Sequence, residues 1–189
     1  MKSHTQTSKF LSLILRHKPE QIGLQLNQEG WAEIAELIEA AQQHNVLLDE
    51  TFLQVIVEQN DKKRFQISDD GLMIRAVQGH STSTVQRQMI ALKPPQYLYH
   101  GTASRFIDSI QTQGLIAGQR HYVHLSKNKE TALNVGQLYG KPVLFLINTI
   151  QMHKDGFEFY QAENGVWLTK HVPTQYLLLN DQTKTESLV

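Results

Sequence analysis

Arg64-Phe65-Gln66-Ile67-Ser68-Asp69-Asp70-Gly71-Leu72-Met73-Ile74-Arg75-Ala76-Val77 is the stretch whose reading settles the first half of the chain. Two short apolar runs flank Asp69-Asp70-Gly71, and a glycine in so short a connection supplies the backbone freedom of a tight turn. The stretch therefore predicts a β-hairpin.

Helices precede it. Ser8-Lys9-Phe10-Leu11-Ser12-Leu13-Ile14-Leu15 is apolar enough to bury most of a first helix, and Pro19 disfavours helical angles at Lys18, so that helix ends near His17. Gly23-Leu24-Gln25-Leu26 predicts a short strand or extended link, and Asn27 to Gly30 a turn. Trp31, Ile34, Ala35, Leu37 and Ile38 recur at helical spacing, which predicts a second helix to about Gln43. Asp49 is placed to cap a third, burying Phe52, Leu53, Val55, Ile56 and Val57. Three helices followed by a hairpin predict a winged-helix lobe over residues 1–85, an architecture that does not by itself establish nucleic-acid binding.

A linker from about Val85 to Pro95, stiffest at Lys93-Pro94-Pro95, leads into residues 86–189. Tyr97-Leu98-Tyr99-His100 reads as a strand entering Gly101-Thr102, and Ala103 to Gln113 as a helix stopped by Gly114. Tyr122 to Leu125 predicts a strand, Asn128 to Tyr139 a helix, and Pro142 to Ile150 a long buried strand. Short strands around Glu158-Phe159-Tyr160, Val166-Trp167-Leu168 and Tyr176 to Leu179 complete a mixed sheet. The fold class is α+β, with no Rossmann glycine fingerprint.

Composition excludes several classes. Without cysteine there is no disulfide and no thiolate metal site. No apolar run reaches membrane-spanning length, and the polar Met1 to Thr7 lacks a signal-peptide core, so a cytoplasmic protein is expected, with no membrane association and no obligate protein partner. Eighteen Lys+Arg balance eighteen Asp+Glu, so any RNA binding must come from a local basic cluster.

Three segments put polar groups at the mouths of apolar elements: Arg16-His17, Arg64, and Arg120-His121-Tyr122-Val123-His124-Leu125-Ser126. Arginine offers a planar fork suited to phosphate. On the bland reading, Arg16 and His17 only complement the negative end of a helix dipole. Strand alternation sends His121 and His124 to opposite faces, so they do not chelate one metal, and no metal is expected; the same alternation puts Arg120, Tyr122 and His124 on one face. In His100-Gly101-Thr102 the glycine lets a ligand approach the backbone, although an ordinary strand-to-helix turn reads equally well. Trp167 reads as core.

Leu13-Ile14-Leu15-Arg16-His17, Lys62-Lys63-Arg64-Phe65, Ile74 to Ser81, Leu98 to Thr102, Val123-His124-Leu125-Ser126 and Asn164 to Thr169 occur in that order. Together, from about residue 8 to 178, they resemble the RNA 2′-phosphotransferase (tRNA 2′-phosphotransferase) family, which the resemblance ties to tRNA splicing. The resemblance implies a winged-helix RNA lobe and a C-terminal NAD-binding lobe of the ADP-ribosyltransferase type. It also implies a reaction in which an RNA 2′-phosphate is ADP-ribosylated by NAD and then released as ADP-ribose 1″,2″-cyclic phosphate. The family's catalytic tetrad maps onto Arg16, His17, Arg64 and Arg120. Positions lining the NAD site map onto His100, Gly101, Thr102 and Ser126. Lys18, Arg75, Gln78, Gly79, His80 and Ser81 are the expected RNA contacts. Val77 stands where many members have Asn, and Tyr122 where some have His. Two rival readings are an ADP-ribosyltransferase with another phosphate or protein acceptor, and a non-enzymatic winged-helix nucleic-acid binder.

Overall fold

The computed structural model describes residues 4–180. Residues 1–3, where the polar N-terminal stretch begins, and residues 181–189 at the end of the second expected lobe lie outside them. Two compact units divide the chain, Met1–Gln88 and Met89–Val189.

In the first unit, α1 (His4–Arg16) buries Thr7, Leu11, Ile14 and Leu15 along one face. It starts a turn earlier than the apolar run suggests and stops where Pro19 dictates. Lys18 leaves helical geometry at φ −141°, and Pro19 opens a short 3₁₀ turn, Pro19–Ile22, closed by Gly23 at φ 68°. Residues 24–27 form no strand, since their backbone finds no ladder. β1 (Trp31–Glu33) comes next, then α2 (Ile34–Gln43), α3 (Glu50–Glu58), β2 (Phe65–Ile67) and β3 (Met73–Ala76). Asp49 caps α3 as expected, its carboxylate accepting from the Phe52 N–H at 2.8 Å.

Trp31 belongs to a strand rather than to the second helix. Glu33 is extended at φ −68°, ψ 132°, and Trp31, Ala32 and Glu33 pair antiparallel with Arg75, Ile74 and Met73. The sheet order is β1-β3-β2, with the hairpin turning through Gly71 at φ 76°. Leu11, Leu15, Leu37, Leu53, Ile56 and Ile74, each at most 1 % exposed, join the helices to this sheet. Each such side chain contributes about 1.5–3 kcal/mol on burial.

Less of the segment after the hairpin is linker than expected. Val85 is fully buried, the Arg87 guanidinium donates to the Val77 carbonyl, and the Gln86 and Gln88 N–H groups donate to the Gln28 carbonyl and the Glu29 carboxylate.

The second unit opens with β4 (Tyr97–Ala103) and a 3₁₀ turn, then α4 (Ile107–Gln113), β5 (Leu115–Ile116) and β6 (Val123–Leu125). Next come α5 (Lys129–Gln137), β7 (Pro142–Asn148), α6 (Thr149–Lys154), β8 (Tyr160–Gln161), β9 (Trp167–Thr169), β10 (His171–Val172) and β11 (Leu177–Asn180). The chain is α+β, but the expected single mixed sheet is three small sheets, β11-β7-β4, β6-β9-β8 and β10-β5. Every pairing among the described strands is antiparallel. The long strand ends at Asn148, which caps the unforeseen α6 by accepting from the Gln151 N–H at 3.2 Å. Leu98, Phe145, Ile147, Met152, Phe159 and Trp167 form the core, which confirms Trp167 as a packing residue. Among the described residues no helix is long and apolar enough to cross a membrane.

Candidate functional site

In the first unit, the C-terminal end of α1 meets the loop that follows the hairpin. The Ser81 N–H donates to the Arg16 carbonyl at 2.9 Å, and the Ser81 hydroxyl lies 2.9 Å from His17 Nδ1. Gly79, at φ 90°, lies under the Arg16 side chain. A Cβ placed there would stand 3.6 Å from Arg16 Cδ and 3.7 Å from its Nε and Nη1. The loop thus contacts both Arg16 and His17.

Arg64 is held by a different device. After α3 the chain turns through Lys63, one of two non-glycine residues with positive φ among the described residues, at 42°. Asn60, only 8 % exposed, organises that turn. Its side-chain oxygen accepts from the Arg64 N–H and from Arg64 Nη1, both at 3.3 Å, and its amide donates to Ser8 Oγ on α1 at 3.4 Å. Its carbonyl accepts from the Lys63 N–H at 2.7 Å. A positive φ at a lysine costs free energy and persists only where the surroundings fix it. His17 and Arg64 line one groove of about 510 Å³ with Asn60, Ser8 and Lys62. No feature of the sequence alone singled out Asn60, because its partners lie 52 residues apart in one case and on backbone in another.

This arrangement makes a prediction about stability. Asn60→Ala should lower unfolding free energy by about 1–3 kcal/mol, because it leaves the Arg64 N–H without its buried acceptor. Asn60→Asp keeps that acceptor and should stay close to the parent in a urea titration. Equal losses in the two variants would assign the effect to packing instead.

The expected RNA contacts divide. Lys18 is exposed, and Gln78, Gly79 and Ser81 are partly so. Arg75 and His80 are buried. Arg75 donates from Nε and Nη2 to Gln66 Oε1 at 3.0 and 2.9 Å and stacks over Trp31 at 4.3 Å. His80 packs under Gly30, where a Cβ would meet its Nε2 at 3.0 Å. Val77, where many family members carry Asn, is 2 % exposed.

In the second unit, the backbones of Tyr99 and Ser126 exchange hydrogen bonds of 2.8 and 2.9 Å, which ties β4 to the end of β6. This sets His100 Nδ1 3.0 Å from the His124 carbonyl. A carbonyl only accepts, so Nδ1 carries the hydrogen and the neutral ring presents Nε2 as an acceptor. Burial pushes the His100 imidazole below its usual range. The bond to the His124 carbonyl opposes this, and the positive charge of Arg120 adds to the lowering. Arg120 thus stands within electrostatic reach of His100.

The strand argument for Arg120 fails, however. β6 begins at Val123, and Arg120 lies exposed in a turn whose N–H donates to the Ala117 carbonyl at 3.2 Å, with Gly118 at φ 63°. Period-two alternation does not extend into a turn. Ser126 is partly committed: its hydroxyl accepts from the Asn128 N–H at 3.0 Å and donates to the Asn128 carbonyl at 2.9 Å. Thr102 is 8 % exposed within β4.

Gly101 makes a close approach to the backbone of another element. A Cβ there would lie 1.7 Å from the Ala132 carbonyl oxygen, so the glycine admits the backbone of α5 against β4. Gly136 makes the reciprocal approach, since a Cβ there would lie 2.7 Å from the Thr102 carbonyl oxygen. Among the described residues no group of three His, Asp or Glu side chains gathers to hold a metal ion.

Comparison with known proteins agrees with the pattern of motifs. The family model described as RNA 2′-phosphotransferase, Tpt1 / KptA family, matches residues 2–171. A protein of Pectobacterium carotovorum subsp. carotovorum (strain PC1), named "Probable RNA 2′-phosphotransferase", is 56 % identical over 174 residues, 92 % of this chain and 94 % of that protein. Proteins of the same name from Escherichia coli O6:K15:H31 (strain 536 / UPEC) and Pseudomonas syringae pv. tomato (strain ATCC BAA-871 / DC3000) are 55 % and 52 % identical over 176 residues. Each alignment covers 93 % of this chain, with 96 % and 94 % of the relatives.

Proposed function

Since the chain belongs to the RNA 2′-phosphotransferase family, we propose that it removes a 2′-phosphate from RNA, with NAD as the acceptor of that phosphate. The reaction runs in two steps. A 2′-phosphate oxygen of RNA attacks the ribose carbon of NAD that bears nicotinamide, and nicotinamide leaves with the electron pair of the broken bond. The neighbouring ribose 2″-hydroxyl then attacks phosphorus, and the RNA 2′-oxygen departs with a proton, which leaves ADP-ribose 1″,2″-cyclic phosphate.

The observation that carries this reading is the convergence of His17 and Arg64 on one groove, each side chain held by a hydrogen bond from another element. A phosphate is already an anion and a nucleophile, so the chain needs no strong general base for the first step. It needs donors fixed in advance, and held guanidiniums supply them without reorganisation. Arg16 and Arg64 are assigned to the phosphate oxygens, and for Arg120 that assignment rests on the family resemblance alone. His17, oriented by Ser81, is assigned as proton donor to the leaving 2′-oxygen. His100 suits a ribose hydroxyl, because its fixed tautomer offers Nε2 as an acceptor and burial keeps it neutral. With Thr102 and Ser126 it forms the assigned cofactor side.

The test is an RNA oligonucleotide with one internal 2′-phosphate, incubated with the pure protein with and without NAD. The phosphate should be lost only with NAD, with nicotinamide and the cyclic ADP-ribose phosphate as products by mass spectrometry. Free inorganic phosphate, or equal loss without NAD, would identify an ordinary phosphatase. Label from NAD on a terminal phosphate or on a protein, with the internal 2′-phosphate untouched, would identify a different ADP-ribosyl acceptor.

A further inference from the structure

We propose that the groove of the first unit also holds the RNA strand beside the 2′-phosphorylated nucleotide, with Lys9 of α1 binding a flanking backbone phosphate. The inference rests on the reading above and extends it from one phosphate to the strand that bears it.

Size is the first reason. A groove of about 510 Å³ falls within the range of sites that take whole small molecules and far exceeds what one phosphate fills. Shape is the second. Ser8, Lys9 and Ser12 line the same groove as His17, and residues three or four apart share one face of a helix. The groove therefore follows α1 away from the assigned phosphate site. His17 lies eight positions after Lys9, about 12 Å at the helical rise, which is beyond the reach of the assigned 2′-phosphate.

Charge is the third reason. α1 has thirteen residues, His4–Arg16, including Lys9 and Arg16 and no carboxylate. The chain as a whole has equal numbers of acidic and basic residues. Asp61 lines the groove too, yet Lys9 forms no ion pair among the described residues. An exposed ammonium beside two serine hydroxyls, in a groove that leads to phosphate-binding arginine and histidine, matches a phosphodiester strand. Single-stranded RNA fits better than a duplex, because the groove is walled by a helix on one side and the α3–β2 loop on the other.

The experiment measures binding by fluorescence anisotropy for two ligands with the same internal 2′-phosphate, a dinucleotide and a hexanucleotide. The full-length protein should bind the hexanucleotide at least tenfold more tightly at low salt. Lys9→Glu should remove most of that gain and reduce the slope of log affinity against log salt by about 0.7, the value for one phosphate of a single strand. At physiological ionic strength, affinity for the dinucleotide should change less than twofold, because about 12 Å exceeds the Debye length of about 8 Å there. Equal weakening of both ligands, or a hexanucleotide bound no more tightly than the dinucleotide, would overturn the subsite. Persistence of the length dependence in a protein that fails to transfer the phosphate would overturn the proposed reaction and leave the subsite standing.

Discussion

Arg64→Lys loses almost as much activity as Arg64→Ala: that is the expected result if Arg64 holds phosphate through its fork. Its Nη1 donates to the Asn60 side chain at 3.3 Å, and that bond aims the rest of the guanidinium into the groove. A lysine keeps the charge but has one nitrogen on a flexible stem, which cannot hold Asn60 and grip two phosphate oxygens together. Charge-assisted hydrogen bonds contribute about 1.5–3 kcal/mol each, so two of them amount to about 3–6 kcal/mol. That corresponds to a fall in kcat/KM on the order of 10²–10⁴-fold for either variant. Single-turnover rates, with circular dichroism confirming the fold, decide the matter. A lysine variant within tenfold of the parent would show that charge alone suffices at this position.

The second large effect is on folding. Gly101→Ala should fail to yield a folded second unit. The added methyl would lie 1.7 Å from the Ala132 carbonyl oxygen and 2.3 Å from its carbon, which is backbone of α5 and has no rotamer to change. Gly101 does not have positive φ, so the cost is contact rather than backbone strain. To relieve it α5 must move off β4, and β4 is paired along its whole length with β7. Losses above about 4 kcal/mol come from this kind of core disruption. Calorimetry of the variant should show the second unit's transition lost or strongly lowered. A variant that melts within a few degrees of the parent would mean that α5 yields easily.

The same glycine shows where the sequence stops being legible. A glycine after a strand is a sign of close backbone approach, but the sequence does not say whether a ligand or a helix approaches. Local signals read well, because their causes are local: Asp49 before α3, Pro19 after α1, and Gly71 in the hairpin. Trp31 misled because its spacing to Ile34 and Leu37 is helical, while the pairing that makes it a strand residue is with Arg75, far along the chain. The surroundings of Arg75 are hidden for the same reason: only the fold places Gln66 and Trp31 around it. On the site side, His17 and Arg64 stand in motifs that the sequence displays, whereas Asn60 and the hydroxyl of Ser81 meet them through contacts that no spacing encodes.

The two indole rings offer an optical readout of each unit separately. Trp31 and Trp167 are the chain's two tryptophans, one in each unit. They sit in different surroundings: Trp31 is half-buried beneath the Arg75 guanidinium, and Trp167 is 4 % exposed, with Lys127 Nζ 5.5 Å from its ring centre. Emission from Trp167 belongs at shorter wavelength than emission from Trp31, because a buried indole is shielded from water relaxation. Trp31→Phe and Trp167→Phe would therefore each leave a single-colour reporter of one unit. Denaturation curves could then be assigned unit by unit without cutting the chain.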